Sequence, residues 1–193
     1  MPLVRVIACG TLDAADDAAG ILAVRMAGPA LAELPRVEVI ETASPLDVVH
    51  RLEGASAVLV VDAIRTPGGG RPPGTIVRAE AGPGGLPAEL RSSLSSHGVG
   101  LAEAVGLAAA LGERPFLVVL GIEAGDVRAG APLSAAVRDA LPQLTSLVEA
   151  EARRLAVGDP AGSNAPSRTG RVAPHADPSR AQDGRGTADG GRT

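Results

Sequence analysis

Ala57-Val58-Leu59-Val60-Val61-Asp62 is the stretch whose reading decides the fold. Five consecutive apolar residues make a strand that must be covered on both faces, as in parallel sheets. A carboxylate at its carboxyl end has no packing role. In open parallel α/β sheets, ligands occupy the crevice beyond the carboxyl ends of the strands. Asp62 is therefore the first residue to suspect of chemistry.

The neighbouring segments supply the rest of such a sheet. Upstream, Leu3 to Ala8 read as a strand ending at Cys9 and Gly10. The pair Asp16-Asp17 then precedes Ile21, Val24 and Leu31 at helical spacing, and Gly28 with Pro29 should kink or end that helix. Carboxylates at a helix start suit its free amides and dipole. Capping explains one of the pair more easily than both. Val37, Val39 and Ile40 form the second strand, ending at Glu41. A short helix opens with Ser44 as cap and Pro45 at its first position, and closes at Gly54. Strand and helix alternate at the spacing of right-handed parallel crossovers.

Downstream, Pro67 to Pro73 is a Gly/Pro-rich loop. Its glycines do not join a strand to a helix start, so a rim loop is favoured over a phosphate cradle. Gly74 to Arg78 read as a short antiparallel edge strand. A loose loop leads to Ser95-Ser96-His97, and Leu101, Ala104, Val105, Ala108 and Leu111 outline a helix closed by Gly112. Phe116 to Leu120 form the last buried strand, running into Gly121-Ile122-Glu123. Leu133-Ser134 open a final helix with Val137, Leu141, Leu144, Val148 and Leu155 on its apolar face, and Pro142 should kink it.

The expected architecture is a three-layer α/β sandwich. A twisted, mostly parallel five-stranded sheet carries helices on both faces, with one antiparallel edge strand. Residues 1–156 form a single domain. From 157 to 193 the composition turns to Gly, Pro, Arg and Asp with few large apolar residues, the signature of a disordered tail.

Composition limits the function. The chain has 193 residues, 45% of them hydrophobic, and a formal charge of −4. Phe116 is the one aromatic residue, and every basic residue is Arg. No basic footprint or stacking platform for nucleic acid exists. One cysteine, Cys9, excludes an internal disulfide and a thiolate zinc knuckle. No apolar run is long enough for a membrane span, and a cytoplasmic protein is expected.

Asp17, Asp62 and His97 lie where this fold presents ligands. Two hard oxygens and an imidazole nitrogen suit zinc or nickel, with positions left for water or substrate. Their spacing matches no short motif. Helix capping for Asp17, a cap or turn for Asp62 and a loop histidine for His97 stand as plainer readings. Ser95 and Ser96 beside His97 lack the Gly-x-Ser-x-Gly elbow of a nucleophilic serine. Cys9 lacks an activating base and reads as a buried thiol. His50, in the helix before the central strand, reads as a surface or interface residue, and His175 falls in the tail.

Taken together, these pieces resemble the hydrogenase maturation endopeptidases. The resemblance is carried by Gly10 to Gly20 with Asp16-Asp17, by Val61-Asp62-Ala63, by Pro73-Gly74-Thr75, by Ser95-Ser96-His97 leading to Gly100-Leu101, by Gly121-Ile122-Glu123, and by Leu133-Ser134 with Val137. It covers about residues 3 to 155, in order. It implies a protease that removes the carboxyl-terminal extension of a nickel-iron hydrogenase large-subunit precursor. It also implies that Asp17, Asp62 and His97 act as catalytic metal ligands, the metal being nickel already carried by the precursor. The family protein would be a cytoplasmic monomer. The chain departs from the family pattern at Thr11, where Asn is usual, at Ala18, where Gly is usual, and across Glu41 to Ser44. A non-cleaving relative that binds metal or subunit during hydrogenase assembly is the alternative. A small-molecule α/β hydrolase or binding protein is the third reading.

Overall fold

The computed structural model describes residues 3–44, 47–66, 70–81, 106, 107, 110, 112, 115–158 and 170–171. The strands are β1 (Val4–Cys9), β2 (Val37–Thr42), β3 (Ala57–Ile64), β4 (Ile76–Ala81), β5 (Phe116–Glu123) and the two-residue β6 (Gly170–Arg171). They form one sheet in the order β2-β1-β3-β5-β4-β6. β2, β1, β3 and β5 are parallel, while β4 runs antiparallel to β5 and β6 antiparallel to β4. The helices are α1 (Ala19–Ala32), α2 (Asp47–Leu52) and α3 (Ala135–Ala156).

Strand alternation divides the core in two. Val6, Ala8, Leu59, Val61, Val118 and Leu120 face α1 and α3, where they meet Ala23, Val24, Leu144 and Val148. Ile7, Cys9, Val58, Val60 and Ile64 face the other way, against Val48 and Leu52 of α2. Every residue of β3 is buried, as its apolar run requires. Helices thus cover both faces of a mostly parallel sheet with one antiparallel strand from the main body of the chain, as expected. Among the described residues no helix is long and apolar enough to cross a membrane.

Several boundaries differ from the sequence expectation. β3 does not end at Asp62 but continues to Ile64, and β5 continues past Leu120 to Glu123. The two extensions pair with each other: Asp62 with Gly121, Ala63 with Ile122 and Ile64 with Glu123. A neighbouring strand that keeps supplying backbone partners carries a strand through polar side chains. α1 starts after the acidic pair, which occupies a 3-10 turn over Ala15–Ala18. It then runs through Pro29 to Ala32 instead of ending there, whereas Pro142 lies inside α3 as expected. β4 starts at Ile76, two residues later than expected, because Gly74 turns the chain at φ +80°. Its outer edge is met by β6 at Val77 and Arg78.

α2 begins at Asp47, whose amide donates to the Ser44 carbonyl at 3.1 Å, and Pro45 lies outside the described residues. Ser134 caps α3, accepting the Val137 amide as expected. Most of the helix anticipated from Leu101 to Leu111 also lies outside the described residues. Within that stretch Gly106, Leu107 and Ala110 are helical.

Candidate metal-recognition site

The chain after β1 turns toward β2, and the chain after β3 leaves in the opposite direction, toward β5 and β4. The carboxyl ends of β1 and β3 therefore flank the switch point of the sheet, where α/β folds leave a crevice. Both candidate carboxylates from this region are here. Asp62 sits in β3 with 6% exposure, and Asp17 sits in the 3-10 turn with 7%. Burial, and after it the charge of Asp17, push the Asp62 carboxyl up to about 7, against the opposing pull of the Ala63 amide. Both groups are thus poorly solvated, and the charge of one reaches the other. Two buried carboxylates repel, and a cation placed between them would relieve that repulsion.

The backbone shapes this space tightly. Gly10 has φ +136°, and a Cβ on it would come within 2.0 Å of the Asp17 carbonyl oxygen. Only glycine lets the chain leave β1 and fold the Asp17 turn back so closely. At Gly20 an added Cβ would lie 2.7 Å from the carbonyl oxygens of Cys9 and Val61, so α1 rests directly on the ends of β1 and β3. The Thr11 amide donates to Asp17 Oδ2 at 2.8 Å, which fixes one oxygen; among the described residues no donor is seen at Oδ1.

Asp16 behaves differently from its neighbour. It is fully buried. Its Oδ2 accepts the amides of Gly125 and Asp126 at 2.8 and 2.9 Å, and its Oδ1 accepts the amide of Ser134 at 2.7 Å. The Asp16 amide in turn donates to the Asp126 carbonyl at 2.9 Å. Capping of α1 does not account for either aspartate, because the cap residue is Ala18 and no side chain caps it. The plain capping reading of Asp17 is thereby corrected: its turn precedes the helix, and its carboxylate bonds backward to Thr11.

Sequence reasoning missed Glu123 as an organising residue. It is 3% exposed, and its two carboxylate oxygens accept the Thr66 amide at 2.6 Å and the Thr66 hydroxyl at 2.7 Å. Thr66 Oγ1 also accepts Arg71 Nη1 at 2.7 Å. Glu123 thus ties the chain leaving β3 to the end of β5, one strand from Asp62. Its place at the end of an apolar strand was the available signal, the same one that picked out Asp62.

Cys9 is 1% exposed. Burial, then Asp62, Asp17 and Asp47, push its thiol far above the usual range, so it is no nucleophile. His50 is exposed on α2 and lines a shallow depression of about 390 Å³ with Arg5, Glu38 and Arg51, at the opposite end of the sheet. His97, Ser95, Ser96 and His175 lie outside the described residues. Among the described residues no three of His, Cys, Asp and Glu converge to hold a metal ion.

The family model for hydrogenase maturation proteases, HycI, matches residues 25–151. The chain belongs to this family. The matched stretch includes Asp62 and the position of His97, while the Asp16-Asp17 turn precedes it. The fold of this hydrogenase maturation protease family member is similar to that of the hydrogenase maturating endopeptidase HybD from E. coli. That comparison has a TM-score of 0.64 at 23% identity, covering 79% of this chain and 93% of that one. HybD from Thermococcus kodakarensis is similar with a TM-score of 0.60 at 23% identity, over 78% and 99% of the two chains. HycI from the same organism gives 0.59 at 21% identity, over 79% and 93%. Comparison with curated protein sequences produced no match.

Proposed function

We propose that this family member is an endopeptidase that removes the carboxyl-terminal extension of a hydrogenase large-subunit precursor, and that it recognises the nickel which the precursor brings. Asp17, Asp62 and His97 are the residues assigned to that nickel. The observation that carries the reading is a pair of buried carboxylates, Asp17 and Asp62, at the sheet's switch point, the charge of the first reaching the second.

The pair supports selection for loaded precursor on simple electrostatic grounds. Without a cation, the two carboxylates cannot both ionise cheaply in a buried space, and Asp62 tends to keep its proton. Nickel removes that obstacle and supplies a Lewis acid beside the peptide to be cut. Asp17 and Asp62 then contribute oxygen ligands and His97 a nitrogen, while the precursor keeps its own ligands on the metal. Two or three protein ligands with open positions suit a metal that belongs to the substrate. An unloaded precursor carries no cation and gains nothing from the site. The enzyme acts as a cytoplasmic monomer in this reading.

The test is a processing assay with purified chain and nickel-loaded precursor, read as mass loss at the precursor's carboxyl terminus. Wild type should shorten the loaded precursor and leave the nickel-free form intact. Asp62→Asn, Asp17→Asn and His97→Ala should each abolish the cut. Equal cutting by all three variants would remove the assigned site. A stable complex with loaded precursor and no product would make the chain a binding factor in hydrogenase assembly.

A further inference from the structure

The two adjacent aspartates divide their labour. Among the described residues, Asp17 accepts through one carboxylate oxygen, from the Thr11 amide. Asp16 spends both of its oxygens on three backbone amides from residues 109 to 118 positions away. A carboxylate accepting several amides is a strong and directional anchor. Its fastening points lie in the loop after β5 and at the residue that caps α3, elements with no chain connection to the turn it belongs to.

The surroundings leave this anchor little slack. A Cβ on Gly125 would come within 3.0 and 3.2 Å of Pro73 side-chain atoms and 3.5 Å of Asp16 Oδ2. At Gly74 an added Cβ would lie 2.6 Å from the Ala136 carbonyl oxygen, which sets the Pro73-Gly74 turn against the first turn of α3. Loops following β1 and β5, the turn before β4 and the start of α3 therefore meet around one carboxylate. The Gly130 amide adds a further tie by donating to the Asp13 carbonyl at 2.7 Å.

From this arrangement we infer that Asp16 is a positioning residue for the site. By clamping its turn to the loop after β5 and the start of α3, it holds the adjoining Asp17 carboxylate in place toward Asp62. The inference rests on the proposed peptidase reading for its effect on processing, but its structural content is separate. Asp16 touches neither nickel nor peptide; it acts through Asp17. Loosening the clamp should free the bond between the Thr11 amide and Asp17 Oδ2, which no Asp16 oxygen joins.

The experiment compares Asp16→Asn with wild type and with Val148→Ala, a core truncation about 20 Å along α3 from Ser134 that lowers stability without touching the clamp. Amide hydrogen exchange is followed at Thr11, Gly125, Asp126 and Ser134, and processing kinetics are measured on nickel-loaded precursor. In Asp16→Asn, Thr11 exchange should rise at least tenfold beyond its rise in Val148→Ala. The kcat should fall at least tenfold, with KM changed less than twofold. Should Asp16→Asn not fold, Gly125→Ala disturbs the same clamp from the opposite side and should raise Thr11 exchange at least threefold.

Unchanged Thr11 exchange, with faster exchange confined to Gly125, Asp126 and Ser134, would overturn the inference and leave Asp16 a local loop anchor. So would an equal kcat loss in Val148→Ala. If the wild-type chain cuts no precursor, the peptidase reading fails, and Thr11 exchange still decides the role of Asp16.

Discussion

The charge of Asp17 reaches Asp62 at the ends of β1 and β3: burial first, and that charge second, push the Asp62 carboxyl up to about 7. One consequence is a stability cost in the metal-free protein. The folded-state value lies above the unfolded one, so the stability of the protonated form is fully present below about pH 4. It is lost as pH rises through about 7. At full ionisation the penalty is on the order of 4 kcal/mol. Asp62→Asn should therefore raise the melting temperature of the metal-free chain at pH 8 and leave it little changed at pH 4. The same variant loses processing. Thermal melts at the two pH values check the sign.

Gly20 provides a test of how closely α1 rests on the sheet. Gly20→Ala would drive a methyl group into the carbonyl oxygens of Cys9 and Val61. Backbone atoms cannot rotate aside as a side chain can, so the cost should be about 3 kcal/mol, at the upper end of ordinary overpacking. Urea unfolding should show a lower midpoint with an unchanged slope. Gly28, on the same helix, has nothing within 4 Å of an added Cβ. Gly28→Ala should be neutral, or stabilising by up to about 1 kcal/mol.

Cys9 should be inert in the folded chain. It is buried and its thiol is pushed up by burial and by Asp62, Asp17 and Asp47. A thiol-specific reagent should label wild type only in denaturant. Cys9→Ala should retain processing, at a stability cost of about 1 kcal/mol for the lost sulfur packing. Loss of processing by a stably folded Cys9→Ala would demand a different chemistry.

A charged cluster on the far side of the sheet governs acid stability. Arg78 of β4 donates from Nε to Glu151 of α3 at 2.6 Å, and Arg154 Nε donates to Glu151 at 2.9 Å. Despite an opposing effect of burial, Arg78 and Arg154 together hold the Glu151 carboxyl below its usual range. Its contribution is present above the unfolded carboxylate range near pH 4.3 and is lost as pH falls through the lower folded value. Glu151→Gln should cost about 2 kcal/mol at pH 7. That difference should shrink on acidification, as stability curves from pH 7 to pH 2 would show.

Much of the sheet was legible because buried parallel strands must be apolar on both faces, and Val58 to Val61 and Leu117 to Leu120 satisfy that requirement openly. Their carboxyl ends were not legible. Asp62 looks like a strand stop, yet ladder pairing between β3 and β5 carries the backbone past it to Ile64, opposite Glu123. Pro29 could have ended α1, yet tertiary packing along the helix outweighs its one missing amide. At the site, Asp17 and Asp62 stood out because a carboxylate near a strand end is costly without a purpose. The role of Asp16 was hidden because its partners are backbone amides more than 100 residues away, and an amide leaves no signature in the sequence.

The two-residue strand at Gly170–Arg171 bears on how the protein behaves in a crowded solution. A sheet margin with open amides and carbonyls invites a second molecule to zip alongside. Here the chain lays a short piece of its own tail against Val77 and Arg78, on the margin where such zipping would begin. By that rule, a tail that looks dispensable by composition would blunt this margin against self-association. Its removal should be felt first as turbidity at high protein concentration.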